Sequence, residues 1–429
     1  MTTALHTLRN RLLAPIGGRV ALEVGSTFLG NAYAALAAFA GGTLLAHWLG
    51  PELRGVFELG LFAANSALLA LGLGLNVATT VFIANQPARG LWAYRLGIRL
   101  AVIYAVFGAA VVLAARSFHV ATESMSTTIA LAVLLVFLAL STTQLVNGLL
   151  VGVGRIHWQN AAVAARWTAY LLLLGACSLA AVPAPDLALA CYGVAALVAC
   201  VVGWWGTRRS DIFSRAAPPG LTPPERRDVL WFGFRAQLAN LFQFASYRFD
   251  VLLVGLWVGN APLGVYAVGV MFTEALWLLP NAVGTVLLSH TSRFAREEAD
   301  RRIVVAFTVT MGLVAAGAVV LSVASYLATR LYLGQSFAGV PEVTWLLMPG
   351  AIALSGSKVL ANELTARGFP GVNTIVALCG AVVTLTGDVA LIPRYGIVGA
   401  AIASSIGYTA AFALICVAFR TRLRGSVSS

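Results

Sequence analysis

A handful of ionisable side chains stand inside long apolar runs of this chain, and their positions pose the first chemical question. The densest set lies in LWFGFRAQLANLFQFASYRFDVLLVGLW, residues 230–257. At the helical advance of about 100° per residue, Arg235, Ser246, Asp250, Gln243, Tyr247 and Asn240 share one polar arc, and Arg248 points away from it. Such an arc suits the wall of a wet cavity. The same residues also fit a plainer arrangement, in which Arg235 reaches the membrane surface and Asp250 pairs with a neighbouring helix. A later run places Glu274, Asn281 and Thr285 on one face, and an early run does the same with Glu58, Asn65 and Asn76. The asparagines also suit interhelical hydrogen bonding. Lys358, the only lysine, shares a face with Ser355, Asn362 and Thr365. Arg95, Arg99 and Arg166 stand near one end of their runs. They either extend to the surface or form a funnel, because guanidinium forks match phosphate oxygens in bidentate fashion.

This chemistry is binding and neutralisation of charge rather than covalent catalysis. An ionisable group at membrane depth costs roughly 2.5–3.5 kcal/mol on insertion scales, so each is a functional candidate. The chain contains no P-loop, H-E-x-x-H or G-x-S-x-G pattern. Its five cysteines lie in apolar runs without C-x-x-C spacing, and its five histidines show no ligand spacing. No cofactor and no metal is implied. LGLGL, residues 71–75, follows no strand and reads as close helix packing rather than a nucleotide loop.

The elements that position these groups follow from composition. Of 429 residues, 59% are hydrophobic and 10% charged, with a mean hydropathy of +0.87. Soluble domains carry about 25% charged residues, so this chain cannot cover a water-facing surface. About twelve apolar segments begin near residues 20, 55, 95, 127, 158, 185, 229, 262, 303, 342, 371 and 396. Lipid satisfies no backbone groups, so helices are expected. The net charge of +12 comes from arginines gathered at both ends and at every second loop. Arg54, Arg116, Arg330 and Arg394 alone mark the alternate loops. That is the signature of a multi-pass protein with both termini cytoplasmic, and it leaves no role for nucleic acid.

The turn HWLGPELRGVFELG, 47–60, recurs as LWVGNAPLGVYAVG, 256–269. Trp48, Gly50, Gly55, Val56, Phe57 and Gly60 match Trp257, Gly259, Gly264, Val265, Tyr266 and Gly269 at a constant offset of 257 − 48 = 209. GRIHWQN (154–160) and RGFPGVN (367–373) form a second echo. The expected organisation is an interfacial segment 1–19, a six-span lobe 20–206, a Pro/Arg-rich linker 207–228, a second six-span lobe 229–420 and a tail 421–429. Parallel repeats of this kind place a substrate path at the interface between the halves.

LGPELRGVFELG, YRFDVLLVGLWVGNAPLGVYAVG, LPNAVGTVL, TARGFPGVN and LIPRYGIVGAAIASSIGY resemble the polysaccharide-transport branch of the multidrug/oligosaccharidyl-lipid/polysaccharide exporter superfamily. The resemblance runs from about residue 20 to about 420. It implies an all-α, MATE-like fold of two six-helix lobes around a central cavity. It also implies flipping of a polyprenyl-diphosphate-linked oligosaccharide across the bacterial inner membrane, beside polysaccharide polymerase or export proteins. On this reading Arg235, Gln243, Asp250, Glu274, Asn281, Lys358 and Asn65 are cavity candidates, with Arg95, Arg99 and Arg166 at the cytoplasmic approach. The alternative is a multidrug antiporter of the same superfamily, coupled to H⁺ or Na⁺ through Asp250 and Glu274. A glycan polymerase or ligase fits less well, because the longest outer loop, about 329–341, is short and chemically poor.

Overall fold

The computed structural model describes residues 18–85, 87–117, 126–180, 182–208, 223–277, 280, 296–367 and 369–425. The segments 1–17, 209–222 and 426–429, and with them most of the expected interfacial segment and linker, lie outside the described residues. Eleven α-helices account for nearly everything described: α1 Gly18–Leu71, α2 Leu75–Asn85, α3 Pro87–Ser117, α4 Thr127–Gly152, α5 Ile156–Ala180, α6 Pro185–Arg208, α7 Pro223–Trp257, α8 Asn260–Glu274, α9 Arg296–Ala328, α10 Val340–Ala366 and α11 Pro370–Gly425. Eight are long and apolar enough to cross a membrane. Two of these eight, with apolar spans of 43 and 51 residues, are long enough to cross twice. With α7 and α8 they make the twelve-span, two-lobe architecture of an all-α membrane protein.

The first two spans are two helices joined directly at a kink, as are the last two. Gly50 (φ 69°) and Gly396 (φ 57°) supply the non-helical residue at each bend. Positive φ costs glycine nothing. Pro51 after Gly50 starts the second span where its missing N–H is harmless. Gly259, 209 residues beyond Gly50, also has positive φ (114°) and joins α7 to α8. Helix α7 begins six residues before the expected start at 229, with Pro223 opening it. α6 carries Asp186 in its first turn and Arg208 in its last, both complementing the helix dipole.

The repeated turns meet each other. A Cβ on Gly55 would be driven into the backbone of Asn260, and one on Gly264 into the backbone of Pro51. These two contacts exchange under the 209 offset, since 55 + 209 = 264 and 51 + 209 = 260. The glycines recur because each lets the other lobe's backbone approach. Next to this contact, Ala46 joins Val265, Val268, Phe272, Leu333, Phe337 and Val340 in one buried cluster. His47 stacks on Tyr332 with ring centroids 4.4 Å apart, and its Nδ1 lies 2.9 Å from the Tyr332 carbonyl. Further along the seam, Phe39 meets Phe272 at 5.0 Å, and Phe62 meets Phe244 and Phe249 at 5.6 and 6.1 Å.

LGLGL both interrupts the second span and packs closely on a neighbouring helix. Leu73 (φ 49°) and Gly74 (φ 62°) are left-handed, which separates α1 from α2. The interruption resets helical phase, so Asn76 does not continue the face of Glu58 and Asn65. Gly74 lies against the backbone of Gly233 on α7, so the break is also where the halves touch at their other end.

Candidate substrate path

Helix α7 divides its polar residues between two environments. Arg235 and Gln243 are exposed, and Gln243 Nε2 lies 3.5 Å from the Tyr247 hydroxyl. Asp250 is 3% exposed and faces the interior of the second half. The Tyr266 hydroxyl donates to its Oδ2, Ser404 Oγ donates to the same oxygen at 3.4 Å, and the Val251 N–H donates to Oδ1 at 2.7 Å. Asp388, on α11, is fully buried, and among the described residues neither of its carboxylate oxygens has a hydrogen-bond partner. It lies within electrostatic reach of Asp250. Two buried carboxylates within electrostatic reach of each other persist as charges only when a proton, a cation or a hydrogen-bond donor compensates them.

Arg248 turns the other way. Its Nη2 donates to Glu274 Oε1 at 2.6 Å, with both side chains about a third exposed (35% and 28%). Lys358 Nζ lies 4.9 Å from the Trp277 ring and 5.8 Å from Tyr247. Tyr247 in turn touches Trp277 and Tyr408, at 5.3 and 5.6 Å. Arg248 thus neutralises Glu274, and the Lys358 amine lies over aromatic faces, a geometry that suits a cation. Lys358 stands eight residues before the end of α10 (366 − 358), about 12 Å along the helix from that end.

In the first half, Arg166 is ten residues into α5 (166 − 156), about 15 Å from its start. Its guanidinium lies 4.7 Å from the Tyr192 ring and 5.4 Å from Trp167. Arg54 and Glu58 form a buried ion pair at 2.5 Å, and Arg54 also lies 5.1 Å from the Phe57 ring. Asn65 spends its Nδ2 on the Leu61 carbonyl at 2.8 Å. Arg95 and Arg99 are exposed and lie in line with exposed Val102 and Val106, on the face of α3 opposite Gly97 and Ala101. Asn281 lies outside the described residues.

The structure therefore brings together Asp250 with Asp388, and Glu274 with Arg248 and Lys358. It leaves Arg235, Arg95 and Arg99 apart from both groups. Sequence reasoning passed over Asp388 and set Arg248 aside. Asp388 had a legible signal, being the lone acid in the apolar run TLTGDVALI. The partners of Arg248, Tyr266 and Ser404 depend on how separate helices pack, and no spacing within one helix reports that.

No protein-family model and no curated protein sequence matches the chain. Solved structures do. An inward-facing multidrug resistance MATE family transporter of the MOP superfamily aligns at TM-score 0.72 and 16% identity, over 92% of this chain and 96% of that one. The lipid II flippase MurJ in an inward closed conformation aligns at TM-score 0.72 and 13% identity, over 93% and 87%. An outward-facing multidrug resistance MATE family transporter of the MOP superfamily aligns at 0.64 and 16% identity, over 94% of each chain. The chain shares its fold with these structures over more than nine tenths of its length.

Proposed function

We propose that this protein flips a polyprenyl-diphosphate-linked oligosaccharide across the bacterial cytoplasmic membrane by alternating access of its two lobes. The observation that carries the reading is the pair of cations at depth, Arg166 and Lys358, one in each half. Both are braced by aromatic rings, and among the described residues neither is in an ion pair. A diphosphate crossing the membrane core needs positive partners, because an uncompensated buried charge costs many kcal/mol. The same two groups would repel a cationic drug. In this reading the end with the paired turns faces outward, the arginine-rich loops face the cytoplasm, and the polyprenyl tail stays in lipid. The likeness in fold to a lipid II flippase supports it, and the likeness to multidrug transporters is compatible with it.

A coupling cation, H⁺ or Na⁺, would be held by Asp250, Asp388 and Ser404, away from the diphosphate path. That buried acid pair also favours the second reading, a cation-coupled multidrug antiporter. The test is surface glycan in a strain lacking its own copy. Arg166→Ala with Lys358→Ala should abolish it while the protein remains inserted. Normal glycan in that variant, with dye resistance depending on Asp250, would overturn the flippase reading in favour of the antiporter.

A further inference from the structure

One cavity is not accounted for by these charges. At the interruption between α1 and α2, a cleft of about 430 Å³, its open mouth included, lies between α1, α2, α3 and α4, with α7 as a further wall. No charged side chain lines it. Its polar groups are amides and hydroxyls: Asn76, Gln144, Gln237, Ser141 and Tyr104, beside the ring of Phe137.

The hydrogen bonds leave a defined surplus. Asn76 Nδ2 donates to Gln144 Oε1 at 3.1 Å. Among the described residues, Asn76 Oδ1, Gln144 Nε2 and the Tyr104 hydroxyl have no protein partner. Gln237 is committed elsewhere, donating to the Leu69 carbonyl at 2.9 Å and accepting from Asn240 at 3.3 Å. Ser141 donates to the Phe137 carbonyl at 2.7 Å and keeps an acceptor. The cleft thus presents a free acceptor and a free donor side by side on linked amides, with a phenol and an aromatic edge nearby. A ligand that satisfies them is neutral, carries vicinal donors and acceptors, and has an apolar flank. That is the chemistry of a sugar ring.

We infer that this cleft receives a sugar of the lipid-linked substrate, held by Asn76 and Gln144, with Tyr104 as a third contact. The inference rests on the functional reading above and adds to it a division of labour. Arg166 and Lys358 meet the diphosphate, whereas the amide cleft reads the saccharide. One wall of the cleft, α7, belongs to the other half, and Gly74 meets Gly233 beside it. Rocking of the lobes therefore changes its width, which links release of the sugar to the conformational change.

The experiment compares two ligands on the purified full-length protein in lipid nanodiscs: polyprenyl diphosphate bearing one N-acetylhexosamine, and the same lipid without sugar. Two or three hydrogen bonds predict that the wild type binds the glycosylated lipid about tenfold tighter. Asn76→Leu with Gln144→Leu should cut this preference to about twofold or less, with the bare lipid bound as before. Tyr104→Phe, which removes one hydroxyl, should lower it severalfold and serves if the double variant does not fold. Equal binding of both lipids by the wild type would overturn the cleft assignment and leave the functional reading standing. Equal loss of both lipids in the folded double variant would also overturn it, pointing to an anion at the start of α2. Failure of the wild type to bind either lipid would refute the functional reading itself.

Discussion

Gly55 and Gly264 offer a perturbation whose size follows from the packing. Each sits in a helix and touches the other half's backbone, Asn260 in one case and Pro51 in the other. Backbone cannot swing aside as the tip of a flexible side chain does, so Gly55→Ala or Gly264→Ala must part the two turns. Overpacking of this kind costs about 1–3 kcal/mol. Alanine's higher helix propensity acts on both conformations alike and cancels from their ratio. The cost falls only on the state in which the turns meet. A penalty of about 2 kcal/mol shifts the equilibrium between states roughly thirtyfold. Spin labels on cysteines replacing exposed Glu52 and Leu256 would read the change as a distance distribution in double electron–electron resonance. The expected result is a longer-distance population at the expense of the short one, similar for the two variants because the offset relates them. Gly312→Ala is the control, since no atom lies within 4 Å of its added Cβ. An unchanged distribution in both seam variants would refute the view that the repeated turns form the closing contact.

Two further outcomes are expected. Arg248→Ala leaves Glu274 without its partner at depth, and should lower thermal stability in detergent by on the order of 1–2 kcal/mol, a figure discounted because the pair is about a third exposed. The exchanged pair, Arg248→Glu with Glu274→Arg, should recover most of that loss in the same unfolding measurement. Asp388→Asn should abolish stabilisation by Na⁺, which for a saturable site amounts to about 2.7 kcal/mol at a hundred times Kd. Persistence of that stabilisation in the variant would remove Asp388 from the cation site.

Much of the fold was legible because lipid enforces one rule, that every span satisfies its own backbone. Hydropathy then located the spans, and the 209 offset revealed the duplication. It did not say that the two turns meet, which the structure shows by packing Gly55 and Gly264 against Asn260 and Pro51 at that same offset. The site was less legible. Helical phase grouped residues on α7 by angle, but it carried no information about what lay opposite each of them. Asp250 and Gln243, assigned to one arc, meet respectively a buried tyrosine and an exposed surface. Arg248, assigned away from that arc, meets Glu274 at the end of α8, whose Tyr266 bonds Asp250. The interruption at Leu73 defeated the phase argument for Asn76, since a leucine at positive φ has no sequence signature of its own.

The central claim is that an anionic lipid-linked saccharide is what moves, and reconstitution tests it most directly. Proteoliposomes would hold a fluorescent polyprenyl diphosphate saccharide, with an impermeant quencher reporting its passage between leaflets. Wild-type protein should render the inner-leaflet pool accessible, and Arg166→Ala with Lys358→Ala should slow this by at least about tenfold, as expected from losing charge-assisted contacts worth about 1.5–3 kcal/mol. An unmoved saccharide lipid, together with cation-driven uptake of a cationic dye in the same vesicles, would contradict the account.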